Sequence, residues 1–400
     1  MPVDVTVVGA GPAGASTAIL FAELGYTVTL LDKAAFPRPK ICGEYVSPEA
    51  ARILDRLGVL KAVDAAGAQP LRGMRMVAPD GTVLIGTYPT APWRGYRDHA
   101  LAIPREVFDS ILLERARSLP VQVRERHRVT ALRVDGDRVT GVEGADSENR
   151  PFEIRSRLVV GADGRASVVA RSLGLVRPHR LKRLALILDV EGLDGFDRMG
   201  EIYVDPPDYS ILNPVAPGLV NLSLVVPLSH ARPFRGRLST FFHARIKQLH
   251  HLAPRLQGMR PRGALMAMGP LAYRVREPRH GGVLLVGDAA GFYDPFTGEG
   301  LHTALRSAEL LVEAAHGALA RGDLSARGLR DYARTRTRAL REKEWITHIV
   351  QFLIARRRLA DRVAHALARR PALLDTLMGV IGDFVPPREL LRWSVVRELL

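Results

Sequence analysis

Three glycines in the run Gly9-Ala10-Gly11-Pro12-Ala13-Gly14 stand at the spacing that cradles a pyrophosphate. Gly9 allows a tight turn, Gly11 lets phosphate oxygens approach the backbone, and Gly14 lets the following helix pack against the preceding strand. Asp32 follows 18 residues beyond Gly14, next to Lys33. At that distance a carboxylate accepts hydrogen bonds from ribose hydroxyls. The chemistry of such a set is dinucleotide binding, with the phosphates at the unpaired N–H groups and positive dipole end of a helix. These residues alone leave open which dinucleotide it is.

The flanking elements carry more weight than the glycines. Val3 to Val8 is a β-branched run suited to a strand buried on both faces of a parallel sheet. An apolar helix is expected over Ala15 to Leu24, stopped by Gly25, and a second strand over Tyr26 to Leu31. Strand, glycine turn, helix, strand and acid thus occur in the order a Rossmann-like unit requires.

Two distant segments extend the pattern. Arg157 to Ser167 reads as a strand followed by the turn Asp163-Gly164. Gly282 to Gly300 reads as a strand, the turn Gly287-Asp288 and the loop Pro295-Phe296-Thr297-Gly298-Glu299-Gly300, with a helix expected from Leu301 to about Leu319. With the opening fingerprint, these resemble the three signature motifs of the para-hydroxybenzoate-hydroxylase-like flavoprotein superfamily. That superfamily includes aromatic hydroxylases, geranylgeranyl reductases and flavin-dependent halogenases. The resemblance is close over about residues 1–60, 100–175 and 280–312, and implies a non-covalent FAD. It assigns Asp288 to a ribityl hydroxyl, and Pro295, Gly298, Gly300 and Leu301 to the isoalloxazine. It assigns Asp163 to a turn that supports the FAD site and handles NAD(P)H. Arg105, in Ile103-Pro104-Arg105-Glu106, matches an arginine that contacts FAD, and Val129 a position whose backbone pairs with the adenine. The segment Phe36 to Pro48 resembles the geranylgeranyl-reductase-like members, in which the pair matching Cys42-Gly43 runs beside the flavin.

From Leu184 to Val226 the pattern becomes four alternating strands, separated by Pro206-Pro207 and Pro217-Gly218. This resembles the superfamily's substrate domain, an antiparallel sheet that roofs the flavin, to which residues 71–102 are expected to add strands. On one of these strands prenyl reductases carry Tyr-x-Trp-x-Phe-Pro and halogenases Trp-x-Trp-x-Ile-Pro. This chain has Tyr209-Ser210-Ile211-Leu212-Asn213-Pro214. Loss of the tryptophans removes the main support for a halogenase and weakens the prenyl reductase reading. Tyr209, Ile211 and Asn213 are the expected substrate contacts, and Tyr209 and His302 the catalytic candidates by placement.

The fold expected is α/β: a Rossmann-like FAD-binding domain over residues 1–70, 100–180 and 275–330, an inserted antiparallel-sheet substrate domain over 71–99 and 181–274, and a helical region over 331–400. Composition agrees with a globular enzyme, 47% of residues being apolar and 25% charged. Cys42 is the one cysteine, which excludes an internal disulfide and a multi-cysteine metal site. The absence of a leader-like start and of a long apolar run points to a cytoplasmic protein. The net charge of +15 comes from arginines scattered along the chain, with no nucleic-acid module and few aromatics. Arg356-Arg357-Arg358 and Arg369-Arg370 make the C-terminal region basic, compatible with peripheral contact on an anionic membrane or with a solvated bundle over the substrate entrance. The activity expected is FAD-dependent monooxygenation of a hydrophobic aromatic or polyketide-like molecule, with NAD(P)H and O₂. The alternative is flavin-dependent reduction of isoprenoid double bonds.

Overall fold

The computed structural model describes residues 2–390; the last ten residues of the expected C-terminal helical region lie outside them. The strand Val3–Val8 forms as the β-branched run requires, and its last four residues are buried. The helix begins earlier than expected, at Pro12, because proline suits a first turn whose N–H groups have no helical partner. The next strand begins later, at Val28. Gly25, at φ +83°, and Tyr26 still donate to the end of the helix, and Thr27 is tied to Asp4 by side-chain and backbone bonds.

Parallel pairing builds the site. Val5–Val8 pairs with Val28–Leu31 on one side and with Leu158–Gly161 on the other. Val159–Gly161 then pairs with Val283–Leu285. In this register Val8, Leu31, Gly161 and Leu285 lie level, so the segments that follow them emerge together at the carboxyl edge of the sheet. That edge is where open α/β sheets bind ligands. The helices Pro12–Glu23, Arg105–Arg117 and Gly300–Arg321 cover one face and share a core with Val5, Val7 and Leu30.

A second, seven-stranded sheet stands over this edge. Its order is Arg260–Met268, Arg183–Glu191, Leu219–Pro227, Asp208–Ala216, Met199–Asp205, Gly73–Val77 and Val83–Thr87. All its pairings are antiparallel except that of Met199–Asp205 with Gly73–Val77. One face packs on the helix Leu238–Gln248 through Leu212, Leu222, Phe241 and Phe242. The other face, bearing Tyr209 and Ile211, packs toward the C-terminal helices. Those helices span Arg330–Ile354, Arg357–Ala368 and Pro371–Ile381.

Candidate active site

A cavity of about 840 Å³ runs from the glycine turn to the underside of the second sheet. At its first end, Gly9 takes φ +102°, and a Cβ there would come within 2.5 Å of the Ala162 carbonyl oxygen. A Cβ on Gly14 would overlap the Gly9 carbonyl and meet the Ala162 methyl at 3.0 Å. Gly14 therefore lies beneath the cavity wall and sets the closeness of helix and strand. Gly11 is different: its Cβ position is open, with only an Arg38 nitrogen at 3.6 Å, and it lines the cavity together with Ala13. Asp32 is oriented by two backbone donors, Ala10 N–H to Oδ2 at 2.8 Å and Ala34 N–H to Oδ1 at 2.9 Å. Lys33 and Val129 line the same end.

Asp163 accepts from Val168 N–H through Oδ2 at 2.6 Å and steadies the turn after its strand. Burial raises its pKa. Asp288 lies across the cavity; its burial raises its pKa against the pull of Lys40, Arg105 and Arg165. Arg105 is buried at the start of its helix and makes a bidentate pair with Asp109 at 2.7 and 2.8 Å. Arg38 approaches the same carboxylate at 3.3 Å. Pro295, Gly298, Gly300 and Leu301 form the wall opposite, and the helix starts at Gly300 with its N-terminus at the cavity.

The roof end is apolar. Met74, Ala185, Ile187, Ile202, Ile211 and Val225 line it. Asn213 lies on this wall, but its amide donates to the Gly43 carbonyl at 2.7 Å, so it clamps the Cys42-Gly43 segment to the roof. Cys42 faces the cavity, and burial raises its thiol pKa although Arg105 opposes the shift.

Two sequence expectations are corrected. Tyr209 is fully buried and does not line the cavity; its hydroxyl donates to Asp294 Oδ1 at 2.6 Å, and its ring packs edge-on against Phe296. Alternation put Tyr209, Ile211 and Asn213 on one face, but the cavity ends before Tyr209, where the helix Arg330–Ile354 closes over it. Gln351 from that helix also donates to Asp294, at 2.6 Å. His302 is turned away as well. One residue beyond Leu301, it points across its helix into a separate charged cluster with Asp383 at 3.2 Å and Lys343 nearby, and burial beside Lys343 depresses its pKa well below the usual value. Neither residue touches the reacting space.

Sequence reasoning missed Glu44. It lines the cavity two residues beyond Cys42, at φ 58°, an uncommon conformation for a residue with a side chain. Its Oε1 accepts from Arg105 N–H at 2.9 Å, and burial raises its pKa to about 8. The only signal was its place in the Cys42 segment. Asp109 was missed too, although Arg105 and Asp109 stand at the i, i+4 spacing of a helical ion pair.

The residues fit FAD. The open side of Gly11 admits a pyrophosphate, and Asp32 and Asp288 stand at two separated parts of one cavity. Asp163 Oδ1 and Thr297 Oγ1 are buried along that cavity without hydrogen-bond partners, which a polar ligand would supply. Fold and site together define an FAD-dependent oxidoreductase. A family model for the FAD binding domain matches residues 2–344, and the chain belongs to that family, within the para-hydroxybenzoate-hydroxylase-like superfamily. It is 30% identical over 339 residues to digeranylgeranylglycerophospholipid reductase 2 of Methanopyrus kandleri, covering 83% of this chain and 81% of that protein. It is 31% identical over 345 residues to conditioned medium factor receptor 1 of Dictyostelium discoideum, covering 82% of this chain and 66% of that receptor, just under two thirds of its length. Among solved structures, a flavoprotein/dehydrogenase from Cytophaga hutchinsonii shares the fold, with a TM-score of 0.83 and 23% identity over 96% of this chain and 93% of that one.

Proposed function

We propose that this enzyme reduces carbon–carbon double bonds of an isoprenoid lipid, with NAD(P)H as the reductant. The observation that carries the reading is the roof: Met74, Ala185, Ile187, Ile202, Ile211 and Val225 offer an aliphatic wall. A phenol or polyketide needs fixed polar partners in its pocket, and a prenyl chain needs none. Asn213, the polar group best placed to orient a substrate, has its NH2 engaged by Gly43, which leaves its buried Oδ1 as a lone acceptor on an otherwise aliphatic wall. The similarity to the Methanopyrus reductase supports the same substrate class.

FAD, when bound, supplies the two-electron chemistry. Gly11 and the helix that starts at Pro12 would hold its pyrophosphate, Asp32 the adenosine ribose, and Asp288 the ribityl chain. The chain's own contribution is a proton and a dry pocket. Double-bond reduction needs a proton at the carbon that does not receive hydride. Glu44, with its pKa raised to about 8, is protonated at neutral pH and lies on the cavity beside Cys42. The aliphatic roof excludes water around the alkene.

One observation favours hydroxylation of an aromatic or polyketide-like substrate with O₂: Ile211 and Asn213 replace the aromatic residues of the prenyl reductase strand. Anaerobic incubation with NAD(P)H and a geranylgeranyl lipid separates the two readings. Double-bond reduction yields products heavier by two mass units per bond without O₂. Products formed only with O₂, each gaining one oxygen atom, overturn it.

A further inference from the structure

We infer that one exposed face of the helix Arg330–Ile354 is a docking surface for an anionic lipid bilayer. Arg334, Arg338, Arg341, Trp345, His348 and Phe352 recur at alternating steps of four and three, and all six are exposed. They therefore form one stripe along the helix, about 27 Å long at 1.5 Å per residue. Trp345 is 62% and Phe352 53% exposed, unusual for large aromatic side chains on a helix whose other face is buried. The guanidinium of Arg356 lies 3.7 Å from the centre of the Phe352 ring. Aromatic rings flanked by arginines suit the boundary between headgroups and acyl chains, where the rings enter and the guanidinium groups stay with the phosphates.

The arginine end of the stripe continues into a groove of about 950 Å³ lined by Arg276, Arg279, Arg330, Arg334, Arg338 and Arg341. Glu277 is the carboxylate within it, and the exposed Glu344 flanks the stripe. Arg334 has a 3.5 Å contact with Asp331; the other five make no salt bridge among the described residues. Such a groove suits headgroup phosphates. The net charge of +15 opposes self-association through the same surface. This surface runs on into Arg356 of the Arg356–Arg358 cluster singled out in the sequence and does not include Arg369–Arg370.

The flank of the same turns reaches the active-site loop, and His348 of the stripe packs edge-on against Tyr293, next to Asp294. Gln351 holds Asp294, and the loop that follows lines the cavity. A bilayer on the stripe would therefore lie close to that loop. The relevance of this short path to turnover rests on the isoprenoid reading, but the surface itself does not.

Co-sedimentation of the full-length holoprotein with vesicles tests the inference. Vesicles of phosphatidylcholine with a third phosphatidylglycerol are expected to bind it, and pure phosphatidylcholine is not. The triple variant Arg334→Glu/Arg338→Glu/Arg341→Glu is expected to bind about a hundredfold more weakly. Trp345→Ser/Phe352→Ser should bind about tenfold more weakly. Unchanged flavin absorbance and melting temperature show that each variant is folded. Equal binding to neutral vesicles, or undiminished binding by both variants, overturns the inference. So does displacement by inorganic phosphate beyond that by chloride at equal ionic strength, which indicates a free-phosphate site. A wild-type dimer dissolved by these substitutions, without vesicle binding, assigns the face to a second copy and also overturns it. None of these readouts depends on turnover, so a wrong substrate class leaves the result interpretable.

Discussion

The two ends of the cavity are built by different physics. The dinucleotide end depends on backbone: glycines without room for a side chain, a carboxylate oriented by two N–H groups, and a helix terminus. The roof end depends on the side chains of five strands that come from positions scattered between 74 and 225. A backbone site tolerates almost no substitution, because the overlap involves main-chain atoms that cannot move alone. A side-chain wall tolerates exchange and changes selectivity when exchanged. The difference is that cofactor identity is set by backbone geometry at one end, while substrate choice is set by exchangeable side chains at the other.

The strongest challenge to this division is Gly14→Val. Its Cβ would overlap the Gly9 carbonyl, so the protein should lose about 3 kcal/mol of stability and purify without flavin. Flavin absorbance per mole of protein and a denaturant melt check both. Asp32→Ala is expected to come next. It strips two backbone donors of a charged acceptor and costs about 2 kcal/mol, with weaker FAD binding by fluorescence titration. Normal FAD affinity in either variant would break the comparison.

At the roof, Ile211→Thr should leave FAD affinity unchanged and weaken a prenyl substrate about tenfold, because an unpaired hydroxyl then faces the chain. A comparable loss of flavin would mean that the ends are not separable. Glu44 sharpens the boundary between them. Its folded pKa of about 8 exceeds the carboxyl's ordinary 4.5, so the folded state binds the extra proton between those values. Its contribution is complete below about pH 4.5, declines as pH rises through 8, and is lost above. Melting temperature should therefore fall more steeply from pH 5 to 9 in the wild type than in Glu44→Gln. The smallest effect is expected from His302→Ala, which should leave turnover within about twofold because the ring faces the Asp383 cluster.

Much of the dinucleotide end was legible because its constraints are local. Gly9 to Gly14, the strand before them and Asp32 lie within 30 consecutive residues, and each residue type is dictated by a backbone requirement. The four strands from Leu184 to Val226 were legible for a similar reason, since alternation and proline turns are short-range signals. Tyr209 and His302 were misread because local period reveals a face but not what covers it. The helix Arg330–Ile354 seals Tyr209 from the cavity, and one step along a helix turns His302 about 100° away from Leu301. Glu44 went unnoticed because a raised carboxyl pKa comes from burial, which no short motif encodes.

By itself, then, the sequence determined the cofactor class and the order of the elements, through glycine spacing and hydrophobic period. Tertiary structure decided which side chains reach the reacting space. Parallel register aligned Gly9, Asp32, Ala162 and Val286 at one edge, and packing of the C-terminal helices chose which part of the roof stayed open. The physical reason is range: backbone requirements act over a few residues, whereas burial and enclosure depend on segments hundreds of residues apart.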